Sequence, residues 1–402
     1  MTVHAHPHKA SGTPVVLILA LLLGLQPLAT DLYLPALPGL TQDLGATMAQ
    51  AQLTLTGLLL AFGTSQLVWG PLSDRFGRRP ILLVGTCGFV MASIGSALSP
   101  RIEVLLVWRI LQGAAMGAGV MGARAILRDL YAPAQAAHVM SKALSGLGVI
   151  ACISAPLGGV LTALINWHAA LLALAVFGAL ALGLVAWRFQ ESLTRRNPHA
   201  LRPRVVLSTW AQILSHPTFL AFSSLTVFSY VGLFTYLAAS SFVYIRVLGW
   251  STTEYGLAML FNSSVYLLGT FWCRRLIARH GVRRTVAIAG AVTLTGGTLL
   301  GGLAMLGWVS GWTILGPMAL FSLAHGIHQS CSQSGAVSPF PQAAGAASAM
   351  NGFLTTVVAF LMGRWLGLHM DGTIFPLVYG IWFWSGMIAL SAWTVVQRYG
   401  PR

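Results

Sequence analysis

Residues 70–80 set the strongest constraint on this chain. They pack one acid, three arginines and two glycines between two apolar runs, 52–69 and 81–98. Each run approaches the length that crosses a bilayer, since roughly 20 helical residues at ~1.5 Å apiece cover a ~30 Å hydrocarbon core. A turn this charged belongs in water or among headgroups, so it joins two spans on one side of a membrane. The composition agrees: 56% of the 402 residues are hydrophobic, only 8% are charged, and the mean hydropathy is +0.76. A soluble domain carries about a quarter charged residues. The chain is therefore expected to be an all-α, polytopic membrane protein.

The hydropathy pattern predicts twelve spans, at 14–38, 50–71, 80–98, 104–126, 139–163, 168–187, 218–245, 252–276, 284–306, 311–335, 342–368 and 373–395. The one long interruption divides them six and six, giving an N-terminal bundle (1–188), a linker (189–217) and a C-terminal bundle (218–402). Within the linker, 205–215 reads either as an amphipathic helix on the membrane surface or as plain connecting chain. The turn between spans 8 and 9, from Arg274 to Arg284, echoes the 70–80 turn, with Gly281 standing where Gly77 stands and no acid. Six-span internal repeats are the architecture in which transporters place a site at the midplane between the halves.

Charge location fixes the expected orientation. With the N-terminus inside, nineteen of the 23 Lys and Arg fall on the cytoplasmic side, and only Arg101 and Arg246 lie outside. Both termini are thus expected in the cytoplasm. The net charge of +15 sits between apolar spans rather than in polar, groove-binding sequence, so a nucleic-acid partner is not expected. Cys87, Cys152, Cys273 and Cys331 all fall in apolar runs without metal-ligand spacing and read as small buried residues. His4, His6, His8 and Lys9 mark a polar tail. The apolar run after it continues to Pro38 without a convincing cleavage site and reads as a span rather than a signal peptide.

Charges inside spans are expensive and mark function. Asp31, between Pro27 and Pro35, is the one acid placed within a span, provided span 1 does not stop at Thr30. Arg109, in span 4, is the most deeply placed base; Arg124 and Arg364 lie near span ends and snorkel. Asp31 falls roughly 7 Å and Arg109 roughly 9 Å to the same side of their span midpoints, so the two are expected to pair. Such a carboxylate can take up and release a proton beside a fixed guanidinium. His325 and His328 share a helical face in span 10. Without further ligands or a nearby acid they read as cavity-lining groups or partners of a neighbouring helix, not as a metal site. Tyr33 and Gln112, with Phe234 and Tyr236 of span 7 and Asn262 and Tyr266 of span 8, are candidates for the wall of a substrate cavity; aromatic lipid-facing filler competes for each.

Gly70, Leu72, Asp74, Arg75, Gly77, Arg78, Arg79 and Leu82 match the loop signature of the major facilitator superfamily, which the chain resembles. The span-4 run Arg109-x-x-Gln112-Gly113 is similar to the superfamily motif that ties the arginine to proton coupling. Pro156, Gly158 and Gly159 resemble its antiporter bend, although Ala151 and Ala155 stand where glycine is common. Together with the span-1 run Thr30-Asp31-x-Tyr33-Leu34-Pro35, the Arg124–Asp129 stretch and Phe340–Ser348, these features resemble the Bcr/CflA family of bacterial drug:proton antiporters. The resemblance implies two six-helix bundles rocking about a central cavity, and an inner-membrane exporter of small, largely apolar drugs. The proton is the coupling ion, no other cofactor is needed, and the protein works as a monomer. It also implies that Gly70, Asp74, Arg75, Gly77, Arg78 and Asp129 form a conformational latch, with Asp74 against the start of span 11, capped by Ser338–Pro341. The alternative on the same fold is a proton-coupled transporter of one metabolite such as a sugar or amino acid. A membrane enzyme would need a catalytic set or soluble domain that the sequence does not supply.

Overall fold

In the structure, a computed structural model, residues 12–131, 133–194, 196–198 and 200–400 are described. The N-terminal histidines, Lys9, Arg195 and Arg402 lie outside them. These residues form helices α1 (Gly12–Asp31), α2 (Leu37–Asp43), α3 (Met48–Phe76), α4 (Arg78–Ala97), α5 (Ile102–Leu130), α6 (Pro133–Leu164) and α7 (Trp167–Arg188). After the linker come α8 (Pro203–Ser215), α9 (Pro217–Ser241), α10 (Thr252–Met305), α11 (Gly311–Val337), α12 (Ala344–His369), α13 (Phe375–Trp393) and α14 (Val395–Tyr399).

Among the described residues, ten helical stretches are long and apolar enough to cross a membrane. One of them, α10, is broken at Gly281, whose φ of 74° is not helical, and so supplies two spans. The twelfth is α11, 27 residues long, whose second half carries His325, His328, Gln329 and several serines that lower its apolarity. Gly77, with φ 109°, and Gly281 occupy equivalent turns. Both conformations suit a residue without a Cβ.

With no water in the hydrocarbon, helices associate through close packing, and small residues let the backbones approach. Gly113 lies on the Leu58 carbonyl and Gly269 on the Leu323 carbonyl, joining spans 2–4 and 8–10. Gly178 packs on Phe89 and Gly297 on Ser385, joining spans 3–6 and 9–12. Each contact of the first half thus has a counterpart six spans later. The halves meet along α3–α12 and α6–α10, two seams that the same two-fold exchanges. In one, Gly63 lies against Thr356 and Gly363 against Thr56; in the other, Gly159 lies against the Thr252 backbone and Gly256 against Pro156.

Span 1 departs from a single helix over 14–38. The α1 helix stops at Asp31, a 3-10 turn covers Leu34–Ala36, and α2 resumes at Leu37. Pro35 removes an N–H donor within this stretch. The chain nevertheless stays inside, with Leu32 to Leu37 all buried. The linker segment is helical: α8 buries Ile213 while Leu207 and Leu214 stay exposed.

Gly158 tests the packing argument. A methyl group there would meet the backbone of Leu32, which cannot move aside. Gly158→Ala should cost about 1–3 kcal/mol through overpacking. At Gly386 nothing lies within 4 Å, and Gly386→Ala should gain up to ~1 kcal/mol from helix propensity. Thermal unfolding in detergent should move the two midpoints in opposite directions.

Candidate functional site

Where α1 ends, its last carbonyls lose their helical donors. The orphan at Ala29 is taken by Arg109 of α5, whose Nη2 donates to it at 2.9 Å. Arg109 is fully buried. Its Nη1 donates to Gln112 Oε1 at 2.6 Å, and its guanidinium carbon lies 4.1 Å from the centroid of the Tyr33 ring. Gln112 in turn donates to Ser93 Oγ at 2.7 Å, and the Tyr33 hydroxyl meets Thr54 Oγ1 at 2.7 Å. These groups form one network inside the N-terminal half. Hydrogen bonds to a charged group contribute roughly 1.5–3 kcal/mol each, and a desolvated cation–π contact about 2, so dipoles and a ring compensate the cation.

The expected Asp31–Arg109 ion pair is not formed; among the described residues neither side chain appears in a salt bridge. The reason is helical phase. Ala29 faces Arg109, and Asp31, two residues on, is turned about 200° away. Its Oδ1 accepts from Thr30 Oγ1 at 2.8 Å. The half-buried carboxylate stands within electrostatic reach of Cys152 on α6, Tyr230 on α9 and Tyr255 on α10. Asp31 therefore stands outside the network that Arg109 forms within the N-terminal half.

Most of the other candidate cavity residues are packed inside the C-terminal half. Phe234 lies against Gly363, Tyr236 against Tyr244, and Asn262 accepts from Ser322 Oγ at 2.9 Å; all three are buried. The two histidines share a helix face but not a partner. His325 Nδ1 meets Ser229 Oγ on α9 at 2.8 Å, and His328 Nε2 meets Thr293 Oγ1 on α10 at 3.2 Å. Tyr266, half-buried, lies 5.5 Å from the His325 ring between centroids. Pro156, Gly158 and Gly159 form the place where α1, α6 and α10 converge.

The 70–80 turn is a second polar centre. Arg78 is 1% exposed. Its Nη1 donates to Asp74 Oδ1 at 2.7 Å and to Ser73 Oγ at 3.0 Å, and its Nε donates to Asp129 Oδ2 at 2.8 Å. Arg128 stands 3.9 Å from Asp74. Gly70 lies beside Met121, and Arg75 stays exposed over Phe76. The expectation that Asp74 rests on the start of span 11 is not met. Its side-chain partners, Arg78 and Arg128, belong to its own half. The start of α12, which packs along α3 further on, is held here by Arg124 of α5 donating to Ser348 Oγ at 2.5 Å. Nor do 338–341 cap α12, which begins at Ala344 without a side-chain cap, after a 3-10 turn.

Sequence reasoning missed Glu191. Its Oε1 accepts the backbone N–H of Arg78 at 2.9 Å and its Oε2 that of Arg79 at 3.2 Å. It thereby caps the N-terminus of α4, and a side chain at Gly77 would run into it. Ser192 adds a bond to Asp129 at 3.3 Å, and the Asn197 N–H donates to the Asp74 carbonyl at 3.0 Å. The signal was present: Glu191 is the one acid between Asp129 and Glu254.

Burial pushes the Glu191 carboxyl up. The N–H groups of Leu193, Arg78, Arg79 and Ser192 more than reverse this and leave it below its ordinary 4.5. Stabilisation by a depressed carboxylate is present above the unfolded value and is lost as pH falls through the folded one. Glu191→Gln should therefore lower stability near pH 7 by about 0.5–1 kcal/mol, since the group is exposed and partly screened. Unfolding midpoints should converge with wild type as the pH drops below about 4.5.

Residues 19–363 match the family model described as Major Facilitator Superfamily. A bicyclomycin resistance protein homolog of Haemophilus influenzae is 28% identical over 367 residues, covering 90% of this chain and 91% of that one. Multidrug resistance protein D of Escherichia coli is 29% identical, covering 85% and 86%, and a chloramphenicol resistance protein of Pseudomonas aeruginosa is 31% identical, covering 87% and 83%. Among solved structures, a D-xylose-proton symporter superposes with a TM-score of 0.75 at 16% identity, covering 95% of this chain and 97% of that one. Its helices, its 70–80 turn and these relatives place the chain in the Major Facilitator Superfamily, as a member of the Bcr/CflA family of drug-efflux transporters.

Proposed function

We propose that this protein is a bacterial inner-membrane exporter of small, largely apolar drugs, driven by proton antiport through alternating access. The observation that carries the reading is Asp31. It is a half-buried acid at the broken end of α1, free of any ion pair among the described residues and bonded only to the neighbouring Thr30 hydroxyl in the hydrogen bonds described above. The names of the relatives, for bicyclomycin, chloramphenicol and multidrug resistance, support the cargo class.

In this reading drug and proton compete for the Asp31 carboxylate. Protonation removes its charge from the crevice between the halves and weakens its hold on bound drug. Deprotonation toward the cytoplasm resets it. Arg109 cannot give up its proton and acts as a fixed anchor for the end of α1 through Ala29 and Tyr33. No cofactor besides the proton is required, and one chain supplies the whole path. The Lys and Arg distribution supports cytoplasmic termini.

Asp31→Asn should abolish drug accumulation against a gradient while binding of a neutral drug survives. Drug-induced proton release from the detergent-solubilised variant should fall to background; a wild-type signal would remove Asp31 from the coupling step. Release triggered by a sugar or amino acid and not by drugs would favour the single-metabolite transporter. For orientation, Phe76→Cys and Ile165→Cys, both exposed, are placed singly in a cysteine-free background. An impermeant maleimide should reach Ile165→Cys, and not Phe76→Cys, from outside the cell.

A further inference from the structure

On the face opposite the 70–80 turn, the C-terminal half reaches across to the N-terminal half with one cation. Arg246 Nη2 donates to the Pro38 carbonyl at 2.6 Å and to Thr41 Oγ1 at 2.5 Å. Thr41 Oγ1 itself donates to the same Pro38 carbonyl at 2.7 Å, so three groups close a small knot at the rim. Each side of the knot is fixed within its own half. Asp43, at the end of α2, accepts from Trp167 Nε1 of α7 at 2.8 Å. Arg246 lies in a π-helical stretch, Phe242–Val247, that prolongs α9, with its guanidinium 5.6 Å from the Phe242 ring. The wider π turns re-aim a side chain relative to an α-helix, and such insertions favour functional positions. On the same seam Gln52 of α3 donates to the Ala238 carbonyl of α9.

We propose that Arg246 is the lock of this face: its bonds to Pro38 and Thr41 hold the halves together here and must open each time the crevice turns to this side. The idea rests on the alternating-access reading above. It assigns to Arg246 a positioning role in transport, distinct from the proton-carrying role of Asp31. The acceptors are neutral, so the lock is a pair of charge-assisted hydrogen bonds rather than an ion pair. Salt, which screens ion pairs between exposed charges, should leave it closed.

Cys152 is the reporter. It is half-buried, on α6, within electrostatic reach of Asp31. With Cys87, Cys273 and Cys331 replaced by alanine, an impermeant maleimide is applied from each face, using intact cells and inverted vesicles. In the parent, Cys152 should label from the face of the 70–80 turn and slowly from the other. Arg246→Gln should raise labelling from the locked face by on the order of tenfold, as expected when a two-state balance loses bonds made in one state only. Thr41→Val, which removes one bond, should give a smaller rise. Arg246→Lys, which keeps the charge and donors, should recover part of the parent behaviour, and added salt should leave parent labelling unchanged.

Unchanged labelling in a folded Arg246→Gln variant, judged by its elution in size-exclusion chromatography, would overturn the lock alone. If that variant does not fold, Thr41→Val decides by the same criterion. Equal labelling of the parent from both faces would also overturn the lock. Labelling of the parent from one face alone, with none from the other even with drug and an imposed proton gradient, would instead overturn the alternating-access reading, and the lock with it.

Discussion

A guanidinium buried without a carboxylate beside it is the constraint on which the centre of this protein depends. In hydrocarbon such a charge is costly unless its donors are satisfied. Arg109 leaves its Nε without a hydrogen-bond partner but finds others in the Gln112 amide, the Tyr33 ring and the Ala29 carbonyl. The last of these is available only because α1 ends early, so the break in span 1 and the burial of the arginine require one another. The arrangement leaves Asp31, on the other side of the same helix end, without a fixed counter-ion.

The same physics recurs at the membrane surface with the signs exchanged. Where α4 begins, its first N–H groups lack acceptors, and Glu191 reaches back from the linker to take two of them. Arg78 then gathers Asp74 and Asp129 around one guanidinium. The turn, the end of α5 and the start of the linker become one unit. All these bonds lie within the N-terminal half and the start of the linker, while α12 makes its own contact through Arg124 and Ser348. The halves are joined along glycine-lined seams, where backbones approach without side chains between them.

What sequence could read follows from what is local. A span is a run of apolar residues, and a turn between spans is a cluster of charge and glycine. Twelve spans and the equivalence of Gly77 with Gly281 were therefore legible. Rise per residue is fixed, so an expected depth for Asp31 and Arg109 could be counted along each span, but their pairing could not. Depth gives one coordinate, and whether two side chains meet also depends on helix phase, which sets Asp31 about 200° from Ala29 around α1.

Glu191 and Arg246 show the same limit. Each meets residues far away in the chain, the N-terminus of α4 for one and the knot at Pro38 and Thr41 for the other. No spacing rule connects positions more than a hundred residues apart. The sequence alone determined that the chain crosses a membrane as twelve helices, because each span must satisfy its own backbone bonds and contain enough apolar surface. Tertiary structure alone decided which charge meets which partner, because helix ends, phases and a π-helical stretch aim the side chains only once the helices are packed.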